Sequence, residues 1–276
     1  MKRFGLIGHP LGHTLSPFIH KRLFELSGIN ATYEIFDIKP EDLPNRIEDL
    51  KTLDGFNVTI PHKVSIMDYC DKIVDFARIC GSVNTVKIAD KKLVADNTDV
   101  NGFSRALFVC NMRISMYSNV LLLGCGGAAR AAAFELAKVN YLTIAVQDSD
   151  LEVANVLAAE LNENPYMVKG VSVIPISQIN GDYNLLVNAT PVGMHPNVNA
   201  CPVPKSVIEC CDNVFDMVYN PIETELVTTA KSLGKNAATG MAMLVCQAAL
   251  AHQIWYGAKF NSDEIEKLIT ETEKQL

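Results

Sequence analysis

The chain has 276 residues, 49% of them hydrophobic and 20% charged, enough for two ordinary packed domains and too apolar for disorder. Its 24 basic and 31 acidic residues give a net charge of −7 with no Lys/Arg block, which argues against nucleic acid as a partner. Eight scattered cysteines include no C-x-x-C pair, and six histidines show no metal-ligand spacing, so we expect reduced thiols, a cytoplasmic protein and no metal.

Phe4 to Ile7 reads as a strand, followed by the loop Gly8-His9-Pro10-Leu11-Gly12-His13. That loop comes too early for the apolar run to be a signal peptide. Ser16-Pro17 predicts a helix start, with Ser16 as N-cap and Gly28 as the stop. A strand is expected over Thr32 to Ile38, a helix over Pro40 to Leu53, and a strand over Phe56 to Ile60. Pro61 opens a helix through Cys70, and a shorter helix covers Ile73 to Cys80. Asn84 to Ile88 and Leu93 to Ala95 form a hairpin across Ala89-Asp90-Lys91-Lys92. Alternating strands and helices argue for a mostly parallel α/β layer.

Asp99 to Cys110 reads as a connecting helix, and the pattern then changes. Val120 to Leu123 is a buried strand, Gly124, Gly126 and Gly127 follow, and Ala128 to Ala137 is helical. Strand, glycine turn and helix start are the parts of a dinucleotide-binding corner. Gly124 permits the turn, Gly126 lets backbone approach a pyrophosphate, and Ala129 is small enough for helix to pack on strand. The helix N-terminus offers free N–H groups to phosphate. Further strands are expected at Leu142 to Val146, Val171 to Ile174, Asn184 to Asn188, Val214 to Met217 and Asn236 to Ala238. Met241 to Gly257 is a helix packed on a core; Gln247, His252 and Gln253 make it too polar, and its length too short, to span a membrane.

Several residues carry two readings. Lys63, in Asn57-Val-Thr-Ile-Pro-His-Lys63, falls in the first turn of a helix, where a cation is mildly disfavoured. It is either a tolerated surface lysine or a proton-transfer group. Asp99, in Asp96-Asn-Thr-Asp99, either caps the next helix or pairs with Lys63, and spacing alone does not show that they meet. Thr14 and Ser16 are a cap, or two hydroxyls holding a carboxylate at a helix end. Gln247 is a satisfied core amide or points into a polar site; Tyr219 is packing or ligand contact.

Taken together these motifs are similar to one family. Gly8-x-Pro10-x-x-His13-Thr14-x-Ser16-Pro17, Asn57-Val-Thr-Ile-Pro-x-Lys63, Gly81-x-Val-Asn84-Thr, Asp96-Asn-Thr-Asp99, Gly124-x-Gly126-Gly127, Asn188-Ala-Thr-x-x-Gly-Met194, Tyr219-Asn-Pro221 and Met243-Leu-x-x-Gln247 stand in the order seen in shikimate and quinate/shikimate dehydrogenases, over essentially the full length. The resemblance implies an α/β protein of two domains with an active-site cleft between them. Residues 1–102 plus 240–276 would form a mostly parallel substrate domain, and 103–239 a Rossmann-type NAD(P)-binding domain. It implies reversible reduction of 3-dehydroshikimate to shikimate in aromatic amino acid biosynthesis, with quinate as a further substrate. The alternatives are a quinate-preferring catabolic enzyme, a dehydrogenase for another ring acid such as an amino analogue, and a non-catalytic NAD(P)-binding regulator.

By resemblance Lys63 moves the proton and Asp99 pairs with it. Thr14 and Ser16 bind the substrate carboxylate, with Tyr219 nearby, and Thr59, Asn84 and Gln247 hold ring hydroxyls. The last helix returns to the first domain. Gly124, Gly126, Gly127, Ala128, Asp148, Thr190, Met217 and Gly240 are the expected cofactor residues. Partners are small molecules, with neither nucleic acid nor membrane, in a monomer or homodimer.

Three departures from the family pattern matter. Thr14 stands where shikimate-specific members usually carry serine, which bears on the choice between shikimate and quinate. Thr239-Gly-Met-Ala-Met-Leu244 alters the nicotinamide-side wall. Gln147-Asp148-Ser-Asp150-Leu-Glu152 replaces the arginine-containing run of NADP-dependent members. An aspartate there suits a free ribose 2′-hydroxyl, so of NAD and NADP we expect NAD.

Overall fold

A computed structural model describes residues 1–12, 14–167 and 170–276; His13 of the first motif lies outside the described residues. The chain divides into two compact units, residues 1–102 with 245–275, and residues 103–244 with Leu276.

In chain order the first unit supplies β1 (Lys2–Gly8), α1 (Ser16–Ser27), β2 (Ala31–Asp37), α2 (Leu43–Leu50), β3 (Gly55–Val58), α3 (His62–Ser65), β4 (Lys72–Ile73), α4 (Asp75–Cys80), β5 (Thr85–Ala89) and β6 (Lys92–Asp96). The chain leaves it within α5 (Asp99–Val109). The second unit holds β7 (Asn119–Leu123), α6 (Gly127–Leu136), β8 (Tyr141–Val146), α7 (Leu151–Glu163), β9 (Val171–Pro175), β10 (Tyr183–Asn188), α8 (Lys205–Glu209), β11 (Cys211–Asp216), α9 (Glu225–Ser232) and β12 (Asn236–Thr239). The chain returns within α10 (Met241–Tyr256) and closes with α11 (Ser262–Glu273).

The first sheet runs β2-β1-β3-β5-β6-β4. It is mixed: β1 pairs parallel with β2 and β3, and β4 with β6, but β5 is antiparallel to both β3 and β6. The hairpin β5–β6 inserts that reversal, because a tight turn joins only antiparallel strands. Reversal and return leave the C-terminal ends of β1, β3 and β6 and the start of β5 on one edge of the sheet. Phe56, Val58, Ile66, Val83, Val86 and Leu93 fill one core of this unit. Phe4, Phe24, Ala251 and Trp255 fill another, where Trp255 stacks on Phe4 at 4.5 Å and donates its Nε1–H to the Val86 carbonyl at 3.0 Å.

The second sheet runs β12-β11-β10-β7-β8-β9 with every pairing parallel. Counted from β7 this is the 3-2-1-4-5-6 order of doubly wound dinucleotide-binding folds. The order reverses between β7 and β10, where such folds open a crevice beyond the strand ends. Leu121, Leu123, Leu186 and Val214 are fully buried beneath α8 and α9 residues such as Ile208 and Leu226.

The structure revises several local expectations. Ser16 is the first helical residue, not the N-cap; Leu15 holds that position with no side-chain cap. Residues 40–53 split into a 3-10 turn, Pro40–Asp42, and α2, and helix beyond Pro61 is a single α turn followed by a 3-10 turn, Ile66–Tyr69. Lys72–Ile73 is a strand, because β6 offers it an edge to pair with. The C-terminal α11, on which the sequence reading is silent, begins with a reciprocal capping box: Glu264 N–H donates to Asn261 Oδ1 at 2.9 Å, and Asn261 N–H to Glu264 Oε2 at 2.8 Å.

Candidate active site and dinucleotide cavity

Four motif segments meet on the common edge of the first sheet. Lys63 sits in α3, one turn beyond β3. The turn is pinned by buried His62, whose Nε2 donates to the Ile38 carbonyl at 2.6 Å, and by the Lys63 carbonyl, which accepts from Val83 N–H at 2.8 Å. A single turn has little dipole, so the unfavourable field expected at Lys63 is small. Lys63 Nζ instead donates to Asp99 Oδ2 at 2.6 Å, with side-chain exposures of 30% and 16%. Asp99 Oδ1 accepts from Asn84 Nδ2 at 2.8 Å. Both carboxylate oxygens are thus engaged by side chains, and Asn97 Oδ1 accepts the Asp99 N–H at 2.9 Å, the service expected of a cap.

Asn84 is oriented by its neighbours. Thr98 N–H donates to its Oδ1 at 2.7 Å, and a backbone N–H only donates, so the amide nitrogen must face Asp99. Thr85 Oγ1 donates to the same Oδ1 at 3.1 Å and accepts from Asn57 Nδ2 at 3.1 Å, and Tyr33 OH donates to Asn57 Oδ1 at 2.8 Å. Gln247 joins through its Oε1, 3.5 Å from Thr98 Oγ1. α10 reaches this position because Gly102 lies against it: a Cβ at Gly102 would stand 2.7 Å from Gln247 Cβ. The sequence reading singled out Lys63, Asp99, Asn84 and Gln247. Asn57, Thr85 and Thr98 stand inside the same motifs without a role assigned from sequence, because nothing in the spacing shows that their side chains meet.

Thr14 and Ser16 lie at the start of α1, both half-buried. Thr14 Oγ1 accepts from Ser16 N–H and donates to Ser16 Oγ, each at 3.2 Å. Thr59 follows β3 beside the end of β1; a Cβ at Gly8 would sit 2.5 Å from its Cγ2, so glycine there lets the two strand ends close. Tyr219 belongs to the second unit, follows β11, and burial pushes its phenol above the usual range.

In the second unit a cavity of about 450 Å³ opens at the switch point of the sheet. Gly124, Cys125 and Gly126 line it together with Gln147, Asp150 and Ala189 to Val192. Gly124 takes φ +99°, which a side chain resists. A Cβ at Gly126 or Gly127 would meet nothing within 4 Å, so the turn faces open space, and α6 starts behind Gly126 with no side-chain cap. Uncapped first-turn N–H groups, a backbone-only turn and the switch-point position fit a dinucleotide pyrophosphate.

Of the expected cofactor residues, Gly124, Gly126 and Thr190 border this cavity, whereas Gly127, Ala128, Met217 and Gly240 lie outside its lining. Asp148 also lies outside: it opens the exposed 3-10 turn after β8, and the carboxylate residue in the lining is Asp150. The three-residue 3-10 turn Asp148–Asp150, invisible to residue counting, makes that difference. Gly240 is forced by packing, since its Cβ would stand 2.0 Å from the Met217 carbonyl oxygen. Among the described residues no helix is long and apolar enough to cross a membrane, and no three His, Cys, Asp or Glu side chains gather as a metal site.

Two α/β units, one with a doubly wound dinucleotide sheet and one with a lysine–carboxylate pair, define an oxidoreductase of the two-domain dehydrogenase class. Residues 6–86 match the family model described as the shikimate dehydrogenase substrate binding domain. A shikimate dehydrogenase (NADP+) of Methanococcus maripaludis is 41% identical over 94% of this chain and 92% of its own. A solved shikimate dehydrogenase in complex with NADP+ superposes with TM-score 0.89 at 39% identity, covering 98% of this chain and 95% of that one. The Thermus thermophilus shikimate 5-dehydrogenase with NADP(H) and shikimate gives 0.87 at 32% identity, covering 99% and 100%. A Listeria monocytogenes shikimate 5-dehydrogenase with shikimate and NAD gives 0.87 at 27% identity, covering 97% and 96%. The chain belongs to the shikimate dehydrogenase family.

Proposed function

We propose that this protein interconverts 3-dehydroshikimate and shikimate with a nicotinamide dinucleotide. The observation that carries the reading is the 2.6 Å contact of Lys63 Nζ with Asp99 Oδ2, held by Asn84 on the motif edge of the first sheet. When bound, the dinucleotide supplies or accepts the hydride. Lys63 Nζ gives a proton to the carbonyl oxygen as it becomes a hydroxyl, and takes that proton back in the reverse direction. Asp99 orients the ammonium and accepts a hydrogen bond from the adjacent hydroxyl. Thr59, Asn84 and Gln247 fix the remaining ring hydroxyl, and Thr14 and Ser16, at the uncapped start of α1, take the substrate carboxylate.

We place NAD ahead of NADP on this chain's own charges, although relatives bear NADP+ in their names. Among the described residues no lysine or arginine lines the cavity, and residues 148–163 carry five acidic side chains and no basic one. A ribose 2′-phosphate there would meet Asp150 and no guanidinium, while a 2′-hydroxyl has an acceptor. Thr14, one methyl larger than serine, is the position from which we expect quinate turnover to be controlled.

The test is a two-by-two assay of shikimate and quinate against NAD and NADP. Shikimate turnover with the higher kcat/KM on NAD is expected. No turnover in any of the four combinations overturns the functional reading, and a tenfold preference for NADP overturns the cofactor reading alone.

A further inference from the structure

We infer that Asp216 is a positioning residue for dinucleotide binding, acting through Asn188 on the loop that walls the cavity. The inference rests on reading that cavity as the dinucleotide site. Asp216 ends β11 and Asn188 ends β10, side by side in register and both fully buried. Asn188 Nδ2 donates to Asp216 Oδ1 at 2.9 Å, and Val218 N–H to the same oxygen at 3.0 Å. Thr224 Oγ1 donates to Oδ2 at 2.6 Å. Three donors converge on one carboxylate whose burial would otherwise be costly, and that burial pushes its pKa up to about 6.

The consequence appears one residue further along. With its nitrogen committed to Asp216 and to the Val192 carbonyl at 3.3 Å, Asn188 must present Oδ1 on its other side. That oxygen accepts from Thr190 N–H at 3.1 Å and from Thr190 Oγ1 at 2.7 Å, while Thr190 Oγ1 accepts Val192 N–H at 3.3 Å. The stretch from Ala189 to Val192, all of it in the cavity lining, is thereby closed into one hydrogen-bonded turn. It also rests against the glycine turn: a Cβ at Gly124 would come within 3.1 Å of Thr190 Cγ2. Wall and phosphate turn are set against each other before any ligand arrives, which lowers the ordering cost of binding.

An aspartate suits the position because the Asn188 amide nitrogen and the Val218 N–H only donate, the Thr224 hydroxyl donates while accepting Val227 N–H, and a carboxylate accepts on both oxygens. Asparagine at this position would turn an N–H toward either Asn188 or Thr224. Reversal of the Asn188 amide would then aim its nitrogen at Thr190, whose backbone N–H has nothing to accept with.

The experiment measures the dissociation constants of NAD and of NADP, by calorimetry on the full-length chain, for the parent, Asp216→Asn, Thr224→Val and Thr224→Ser. Melting temperatures are recorded beside them. Asp216→Asn should weaken binding of the preferred dinucleotide by about tenfold or more, and Thr224→Val by about fivefold. Thr224→Ser keeps the hydroxyl and should bind within about twofold of the parent. In steady state the loss should fall on the dinucleotide KM with kcat nearly kept. A folded Asp216→Asn with unchanged affinity overturns the inference. If that variant does not fold, equal affinities for Thr224→Val and Thr224→Ser overturn it, whatever their melting temperatures. A parent that binds dinucleotide yet turns over no shikimate refutes the proposed reaction while leaving the inference standing, and a parent that binds neither dinucleotide overturns both.

Discussion

Replacing Lys63 by Met separates catalysis from folding. Methionine keeps a linear apolar stem of similar length and deletes only the ammonium. In the folded protein the lost contact is the 2.6 Å pair with Asp99, and the lysine end is 30% exposed. Solvent screening at that exposure limits the stability loss to less than about 1 kcal/mol. Asp99 keeps the Asn84 N–H, so its carboxylate is not stripped of partners. The chemical step loses far more. Removing a positioned general acid typically costs about 10²–10⁴ in rate, or roughly 3–5 kcal/mol of barrier. The variant should therefore melt close to the parent, bind dinucleotide with unchanged affinity, and lose two to four orders of magnitude in kcat with shikimate. Asp99→Asn should lose rate as well, and the double variant should lose much less than the product of the two, because the pair acts as one unit. A Lys63→Met enzyme with kcat within fivefold of the parent, confirmed free of parent contamination, would refute the assignment of the proton to Lys63.

Three further outcomes follow from the packing. His20 and His252 are fully buried, share an N···N hydrogen bond of 2.8 Å, and are held well below the usual histidine pKa, chiefly by burial; His252 falls to about 3. Their folded pKa lies below the unfolded value of 6.5, so their contribution is complete above pH 6.5 and is lost as pH falls from there toward 3. Between pH 7 and pH 5 His252 should cost about 2 kcal/mol and His20 should add a loss of the same sign, while Asp216, raised to about 6, returns about 1 kcal/mol as it gains its proton. Urea unfolding should show that net loss, and a flat profile would mean the pair already carries a charge. Trp255→Phe removes the indole N–H that donates to the Val86 carbonyl at 3.0 Å, while that carbonyl keeps its place opposite Phe56 in the ladder, and should destabilise by about 1 kcal/mol, read by circular dichroism because the chain has a single tryptophan. Gly102→Ala drives a methyl to within 2.7 Å of Gln247 Cβ, so α10 must shift; KM for shikimate should rise several-fold with dinucleotide affinity unchanged, and an unmoved KM would take Gln247 out of substrate binding.

Much of this was legible along the chain because the signals are local. Strand β7, its glycine turn and α6 are consecutive, so Val120 to Ala137 announce a dinucleotide corner by themselves. The lysine and aspartate motifs are equally visible, but residue types at spacings of 36 positions do not say whether two side chains meet. Asp148 shows the same limit on a smaller scale: it opens a 3-10 turn that places Asp150, and not Asp148, in the cavity lining. The antiparallel entry of β5 and the pairing of Lys72–Ile73 also escaped, since strand partners lie far apart in sequence.

What the amino-acid order determines here is which chemistry is available: an amine, a carboxylate, hydroxyls at a helix start, and a glycine turn free of side chains. Tertiary structure alone decides that Lys63 and Asp99 touch, that Thr98 turns the Asn84 amide toward them, and that Asp216 reaches Thr190 through Asn188. The physical reason is that hydrogen bonds act over about 3 Å and respond to direction. Groups dozens of residues apart come that close only when sheet register and helix packing bring them there.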